Sequence, residues 1–315
     1  MKPFLFFYYL NKSMVFFETY ERKQIRMISS SCYGFNFLLL LSIFLGFSTL
    51  VFGGNFNTDF DNLFGDERVN IKDNGNSMTL TLDEYCGSGI VSKNEYLYGR
   101  FDMDIKLVPG NSAGTVTAYY LSSVGAQHDE IDIEFLGNLT GEPYLLSTNV
   151  YAEGVGGREM QFYLWFDPTE DYHTYSIDWN PDRIILLVDG NPIRVMLNRQ
   201  SIGVPFPTKR PMRIYSTLWN GDSWATRWGE VKIDLSNAPF IAGFKNFNAD
   251  ACIATEDRKC RGFNAGKNRG LDMESKGKMK NVLSKWVVYD YCRDLRRYAH
   301  GLPYECRKEN ILQLD

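Results

Sequence analysis

The chain has no positive charge to spare: 34 Lys and Arg stand against 38 Asp and Glu, a net charge of −4 over 315 residues. A surface that binds a polyanion carries a basic excess, so no nucleic-acid partner is expected. Also missing before residue 280 is any long stretch of helical period, which argues against a helical bundle. No internal repeat is visible. Cysteine is sparse, at six residues. What the chain does have is 44% hydrophobic and 15% aromatic residues, enough for a folded domain with a large core. Aromatics serve both β-rich cores and sugar-binding faces, so composition alone does not separate those uses.

Residues 35–53, FNFLLLLSIFLGFSTLVFG, form an apolar run with Val51 and Gly53 at the −3 and −1 positions of a cleavage site. They read as the core of a secretory signal peptide over 27–53. A membrane anchor is the competing reading, since about 19 apolar residues can just span a bilayer. Residues 1–26 are an atypical upstream extension, and translation from Met27 gives an ordinary leader. Removing residues 1–53 takes away five basic and two acidic side chains, leaving 29 against 36.

Cys252, Cys260, Cys292 and Cys306 sit as two local pairs near the C-terminus, as expected of disulfides in an oxidising compartment. Pairing Cys252 with Cys260 and Cys292 with Cys306 closes short loops, each bridge contributing roughly 2–4 kcal/mol. Sequence alone leaves the connectivity open. Cys86, in DEYCGSGIVSK, has no partner left and reads as a small buried hydrophobe rather than a reactive thiol.

From about residue 55 the chain breaks into short β-rich runs between turn signals. MTLTLDE follows DNGN, and RIILLVDGNPIRVML is interrupted at Asp189, Gly190 and Asn191 as a hairpin is. YLYGRFDMDIKLV and AGTVTAYYLSS also favour strands. The body is expected to be all-β, a sandwich of two antiparallel sheets. Residues 278–299 fit a helix followed by a strand, and 254–280 read as a polar, charged surface loop.

The informative stretch is AQHDEIDIEFLGNLT, residues 126–140. Alternation puts Glu130, Asp132 and Glu134 on one face of a strand and Ile131, Ile133 and Phe135 on the other. Three carboxylates on a face repel unless protons, a metal or a substrate absorb the charge. A solvated strand is the plainest explanation. Metal binding lacks the turn glycine and ligand spacing of a calcium loop, so no metal or other cofactor is expected. Non-catalytic sugar binding and glycoside hydrolysis remain. The last needs a nucleophilic carboxylate and a carboxylic acid about 5–5.5 Å apart in a retaining enzyme. Positions i and i+4 of a flat strand are roughly 13 Å apart, so the side chains must converge over a concave sheet.

HDEIDIEFLGN followed by LT resembles the signature of the xyloglucan endotransglucosylase/hydrolases, plant members of glycoside hydrolase family 16, with Ile133 in place of the usual Phe. The similarity continues through SKNEYLYGRFDMDIKLVPGNSAGTVTAYYLSS, LWFDPTEDYHTYSIDWNPDRIILLVDGNPIR, PMRIYSTLWNGDSWATR and YDYCRDLRRYAHGLPYEC, nearly all of 55–310. It implies a curved antiparallel β-jelly-roll sandwich of the concanavalin A-like glucanase type, a catalytic domain over 54–246. A short, disulfide-stapled α/β extension over 247–315 would complete it. By the same resemblance Glu130 is the nucleophile, Glu134 the general acid and base, and Asp132 the auxiliary carboxylate. His128 and Asp129 are expected to act structurally or through hydrogen bonds. Tyr120, Asn149, Trp219 and Trp224 match groove positions, Arg297 lies in a motif used on the acceptor side, and Asn138 opens a glycosylation sequon.

The resemblance further implies a secreted, monomeric enzyme of the apoplast and cell wall, acting on a xyloglucan donor with a xyloglucan or oligosaccharide acceptor. A hydrolase or a catalytically silent wall-binding protein is the alternative. The short 151–165 segment favours transfer, because the hydrolytic branch typically has a longer loop there. Four positions depart from the pattern. Ser147 replaces Gln or His, so one sugar contact is expected to weaken; Trp228 replaces a glycine after WATR; Leu235 replaces a tryptophan; and Cys86 replaces a small or hydroxylated residue.

Overall fold

The computed structural model describes residues 53–254 and 270–307. The leader expected over 27–53, the extension before it, and Cys260 lie outside them, apart from Gly53. Among the described residues, a one-turn helix α1 (Phe56–Asp59) precedes β1 (Phe60–Phe64), β2 (Val69–Lys72), β3 (Ser77–Leu82), β4 (Ser88–Ser92) and β5 (Tyr96–Lys106). Then come β6 (Thr115–Ser122), β7 (Glu130–Leu136), β8 (Leu145–Tyr151), β9 (Met160–Tyr163) and β10 (His173–Trp179). β11 (Arg183–Val188), β12 (Asn191–Leu197), β13 (Arg213–Asn220) and β14 (Phe240–Ile253) lead to helix α2 (Met273–Lys285) and β15 (Val287–Asp290). One sheet has the order β1-β4-β13-β6-β7-β8-β9-β15, the other β12-β11-β10-β5-β14-β3-β2, and every pairing is antiparallel.

This is the expected two-sheet sandwich, and period-two alternation builds it. Ile131, Ile133 and Phe135 of β7 are fully buried, and the Phe135 ring meets Tyr175 of β10 edge-on at 4.6 Å between centroids. Phe101, Met103 and Ile105 of β5 and Ile177 and Trp179 of β10 close the core from the facing sheet. Burying each large apolar side chain stabilises the fold by about 1.5–3 kcal/mol. The hairpin forms where DG predicts it: Asp189 at φ 48° and Gly190 at φ 70° make the left-handed pair that a two-residue turn needs between β11 and β12.

The C-terminal part is built onto the sandwich rather than set apart from it. β14 continues past 246/247 across a register shift in its pairing with β5 between Lys245 and Asn248, and β15 pairs with β9 as the last strand of the first sheet. Helix α2 is capped by Asp272, which accepts a hydrogen bond from the Ser275 N–H at 2.7 Å, and packs on β12. It begins at Met273, so the end of the stretch read as surface loop is helical. The cap and the buried Met279 and Val282 outweigh the polar, glycine-containing composition. Cys292 and Cys306 form a disulfide, and the buried Arg158 guanidinium bonds Glu305 at 3.0 Å. Cys252 is disulfide-bonded.

Cys86 is a correction: it is free and exposed, not a buried hydrophobe. It occupies the turn between β3 and β4, where Asp83 accepts the backbone N–H groups of Tyr85 and Cys86. The Asp turn takes the chain to the surface, so the thiol never reaches the core.

Candidate active site

Strand β7 is the fifth of eight in its sheet, so its carboxylates stand on the middle of an outer face, not at an edge. The register sets what surrounds them. One cross-strand row runs Thr217, Ala118, Glu134, Ser147, Gln161; the next runs Tyr215, Tyr120, Asp132, Asn149; a third joins Ser122, Glu130 and Tyr151. A groove of about 660 Å³ lies over these rows and takes Glu130, Asp132 and Glu134 into its floor.

The three carboxyls interact strongly. Asp132 is buried, and burial, followed by the charges of Glu130 and Glu134, pushes its carboxyl well above the usual range, with Arg194 opposing. Asp132 also shares a hydrogen bond with Glu130. The Glu134 carboxyl is pushed up to about 7, first by burial, then by Glu159, then by Glu130. One carboxyl of the set thus holds a proton near neutrality, as a general acid must.

Glu159, which the sequence reading missed, sits just ahead of β9 and lines the same groove. Its Oε1 accepts hydrogen bonds from Ser147 Oγ at 3.1 Å and Gln161 Nε2 at 2.6 Å. Ser147, the departure noted above, therefore holds an acidic neighbour of Glu134. Alternation in REMQF was the available signal, since it puts Glu159 and Gln161 on one face. Replacing Glu159 by Gln is expected to move the alkaline limb of the pH–rate profile to lower pH. Removing a negative neighbour eases ionisation of Glu134, so the protonated acid is lost sooner as pH rises. An unmoved limb in pH-dependent kcat/KM would remove Glu159 from this role.

Most of the expected groove residues are brought together. Tyr120 stacks on Tyr215 with ring centroids 4.9 Å apart, and Trp219 and Trp224 lie 6.1 Å apart on the β13 side. Asn149 lines the other side, its Oδ1 accepting the N–H groups of Val150 and Arg158, which leaves its amide N–H pair for a ligand. Leu63, Phe64, Tyr151 and Trp228 also line the groove, though none of the four was among the expected site residues.

Arg297 does not line it. Its guanidinium adjoins Gly157 in the loop between β8 and β9, and a hydrogen bond with Tyr289 leads the interactions that hold its charge. His128 stacks on Tyr151, with Nε2 3.9 Å from Glu130, and Asp129 is buried, accepting the Glu153 N–H at 2.8 Å. Asn138 follows β7, its Nδ2 donating to the Pro143 carbonyl at 3.0 Å.

A model of the glycosyl hydrolases family 16 matches residues 56–237, and one of the xyloglucan endo-transglycosylase C-terminus matches 260–306. Xyloglucan endotransglucosylase protein 1 of Diospyros kaki is 53% identical over 277 residues, 88% of this chain and 96% of that protein. Xyloglucan endotransglucosylase/hydrolase protein 15 of Arabidopsis thaliana is 54% identical over 266 residues, 82% of this chain and 92% of that one. Among solved structures, a laminarinase from Flavobacterium sp. UMI-01 superposes with a TM-score of 0.51 at 18% identity, covering 64% of this chain and 98% of that one. That likeness bears on the fold alone. With the carboxylate row in the groove and the identity extending over most of its length, the chain belongs to glycoside hydrolase family 16 and, within it, to the xyloglucan endotransglucosylase/hydrolases.

Proposed function

We propose that the protein cuts the β-1,4-glucan backbone of xyloglucan and rejoins it to another chain by a retaining double displacement. The observation that carries this reading is Glu134, its carboxyl held near 7, on the same strand face as Glu130 with Asp132 between them. Glu130 attacks the anomeric carbon while Glu134 protonates the departing glycosidic oxygen, so that the C–O bond breaks as the glycosyl–enzyme bond forms. Glu134, now ionised, takes the proton from the 4-hydroxyl of an acceptor as that oxygen displaces Glu130. Water in the acceptor's place gives hydrolysis. Asp132 steadies Glu130 by hydrogen bonding.

Tyr120, Trp219 and Trp224 offer apolar faces to pyranose C–H surfaces, and the Asn149 amide offers donors to hydroxyls. Arg297, outside the groove, serves an acceptor extending past Gly157. Secretion to the apoplast and cell wall follows from the substrate. Glycosylation of Asn138 is compatible with its contacts, because the bond to Pro143 uses one Nδ2–H and leaves the other.

Transfer is favoured over hydrolysis by the short 151–165 segment. It is tested by measuring, on one secreted preparation, reducing-end release from xyloglucan and transfer to a labelled xyloglucan oligosaccharide. Transfer with little reducing-end release is expected. Reducing ends in excess make the protein a hydrolase, and neither activity makes it a binding protein.

A further inference from the structure

We propose that Trp228 is an additional sugar-stacking platform, extending the groove on its β13 side and strengthening binding of the donor polysaccharide. The indole is 71% exposed, yet it lines the groove beside Leu63, Phe64, Trp219 and Trp224. An indole of that exposure contributes little to the core and offers a broad apolar face to solvent.

The backbone that carries it is strained in its favour. Arg227 at φ 49°, Trp228 at φ 59° and Gly229 at φ 80° form three successive left-handed residues. A bulky side chain is an outlier there, and glycine adopts the conformation freely. Strain of this kind persists where the surrounding structure over-determines it, and it clusters at ligand clamps.

Here the surroundings do so. Thr226, buried and two residues ahead, accepts the Gly114 N–H at 2.7 Å and donates to the Gly137 carbonyl at 2.7 Å, tying the turn to the residue after β7. The Glu230 N–H bonds the Arg227 carbonyl at 3.1 Å and closes the far side. The tryptophan is thus presented from a pinned turn.

The occupant that fits is a β-linked glucan chain. Its equatorial hydroxyls leave both ring faces apolar, which suits a groove lined by Tyr120, Trp219, Trp224 and Trp228. The β13 side lies across β7 from β15 and the C-terminal segment, where Arg297 serves the acceptor, so the added platform acts on the donor. This assignment rests on the function proposed above.

The test compares wild type with Trp228→Gly and Trp228→Tyr. The probes are donor and acceptor KM in the transfer assay, retardation in native gels cast with soluble xyloglucan, and thermal midpoint. Glycine suits the left-handed backbone, so Trp228→Gly is expected to fold and to melt no lower than wild type. Its donor KM should rise about ten-fold, the scale of one aromatic stacking contact, with acceptor KM unchanged and gel retardation reduced. Trp228→Tyr should restore most of the binding. Unchanged donor KM and unchanged retardation in an active Trp228→Gly enzyme would overturn the platform and leave the proposed function standing. A wild-type protein without activity whose retardation depends on Trp228 would reject the enzymatic reading and keep the platform.

Discussion

Glu130→Ala is expected to lose both transfer and hydrolysis by roughly 10⁵-fold or more, since without the nucleophile no glycosyl-enzyme forms. The fold should survive. Glu130 lies on the solvent side of β7, and its removal relieves repulsion on Asp132 and Glu134, so the thermal midpoint is expected to hold or rise. The vacated space also provides a positive signature. With an aryl β-glycoside and azide, the small anion enters from the nucleophile's side, forms a bond to the anomeric carbon and expels the phenolate. The glycosyl azide should have α configuration. Retained transfer in Glu130→Ala, or a β-azide from it, would sink the assignment.

Glu134→Gln separates chemistry from stability. Loss of the proton donor is expected to lower turnover of polymeric donor by about 10²–10⁴-fold. Aryl glycosides, whose leaving groups need little protonation, should lose far less in the glycosylation step. Unchanged polymer turnover would reject Glu134 as the acid.

Stability should move the other way. The Glu134 carboxyl titrates near 7 in the fold against 4.5 for the free side chain. The folded state therefore holds this proton more tightly than the unfolded chain does. Stability from that proton is full below about 4.5 and is lost as pH rises through about 7. Glutamine carries no charge at any of these values. The variant is expected to gain on the order of 1–3 kcal/mol over wild type at pH 8 and nothing at pH 4. Denaturant unfolding at both values checks this, and an equal change at both would show that ionisation is not the cause.

Local alternation was enough to sort EIDIEF into a buried and a solvent face, because side chains on a strand point to opposite sides whatever the strand pairs with. DG between two apolar runs was enough for the β11–β12 turn, because its left-handed dihedrals are a property of two residues. Two further readings went wrong for want of their surroundings. Cys86 has buried-type chemistry but sits in a turn organised by Asp83, and the start of α2 looks like loop until its cap and its contact with β12 are known.

The sequence by itself thus determined the carboxylate face, the sandwich class and, through resemblance extending over nearly all of residues 55–310, the family. Only the tertiary structure decided which charges meet. Glu159 lies 25 positions after Glu134 and comes beside it because β7, β8 and β9 pair in one register. Arg297 is outside the groove, and Trp228 at its rim, for the same kind of reason. Register and loop anchoring are sums over many weak non-local contacts, and no single stretch of sequence contains them.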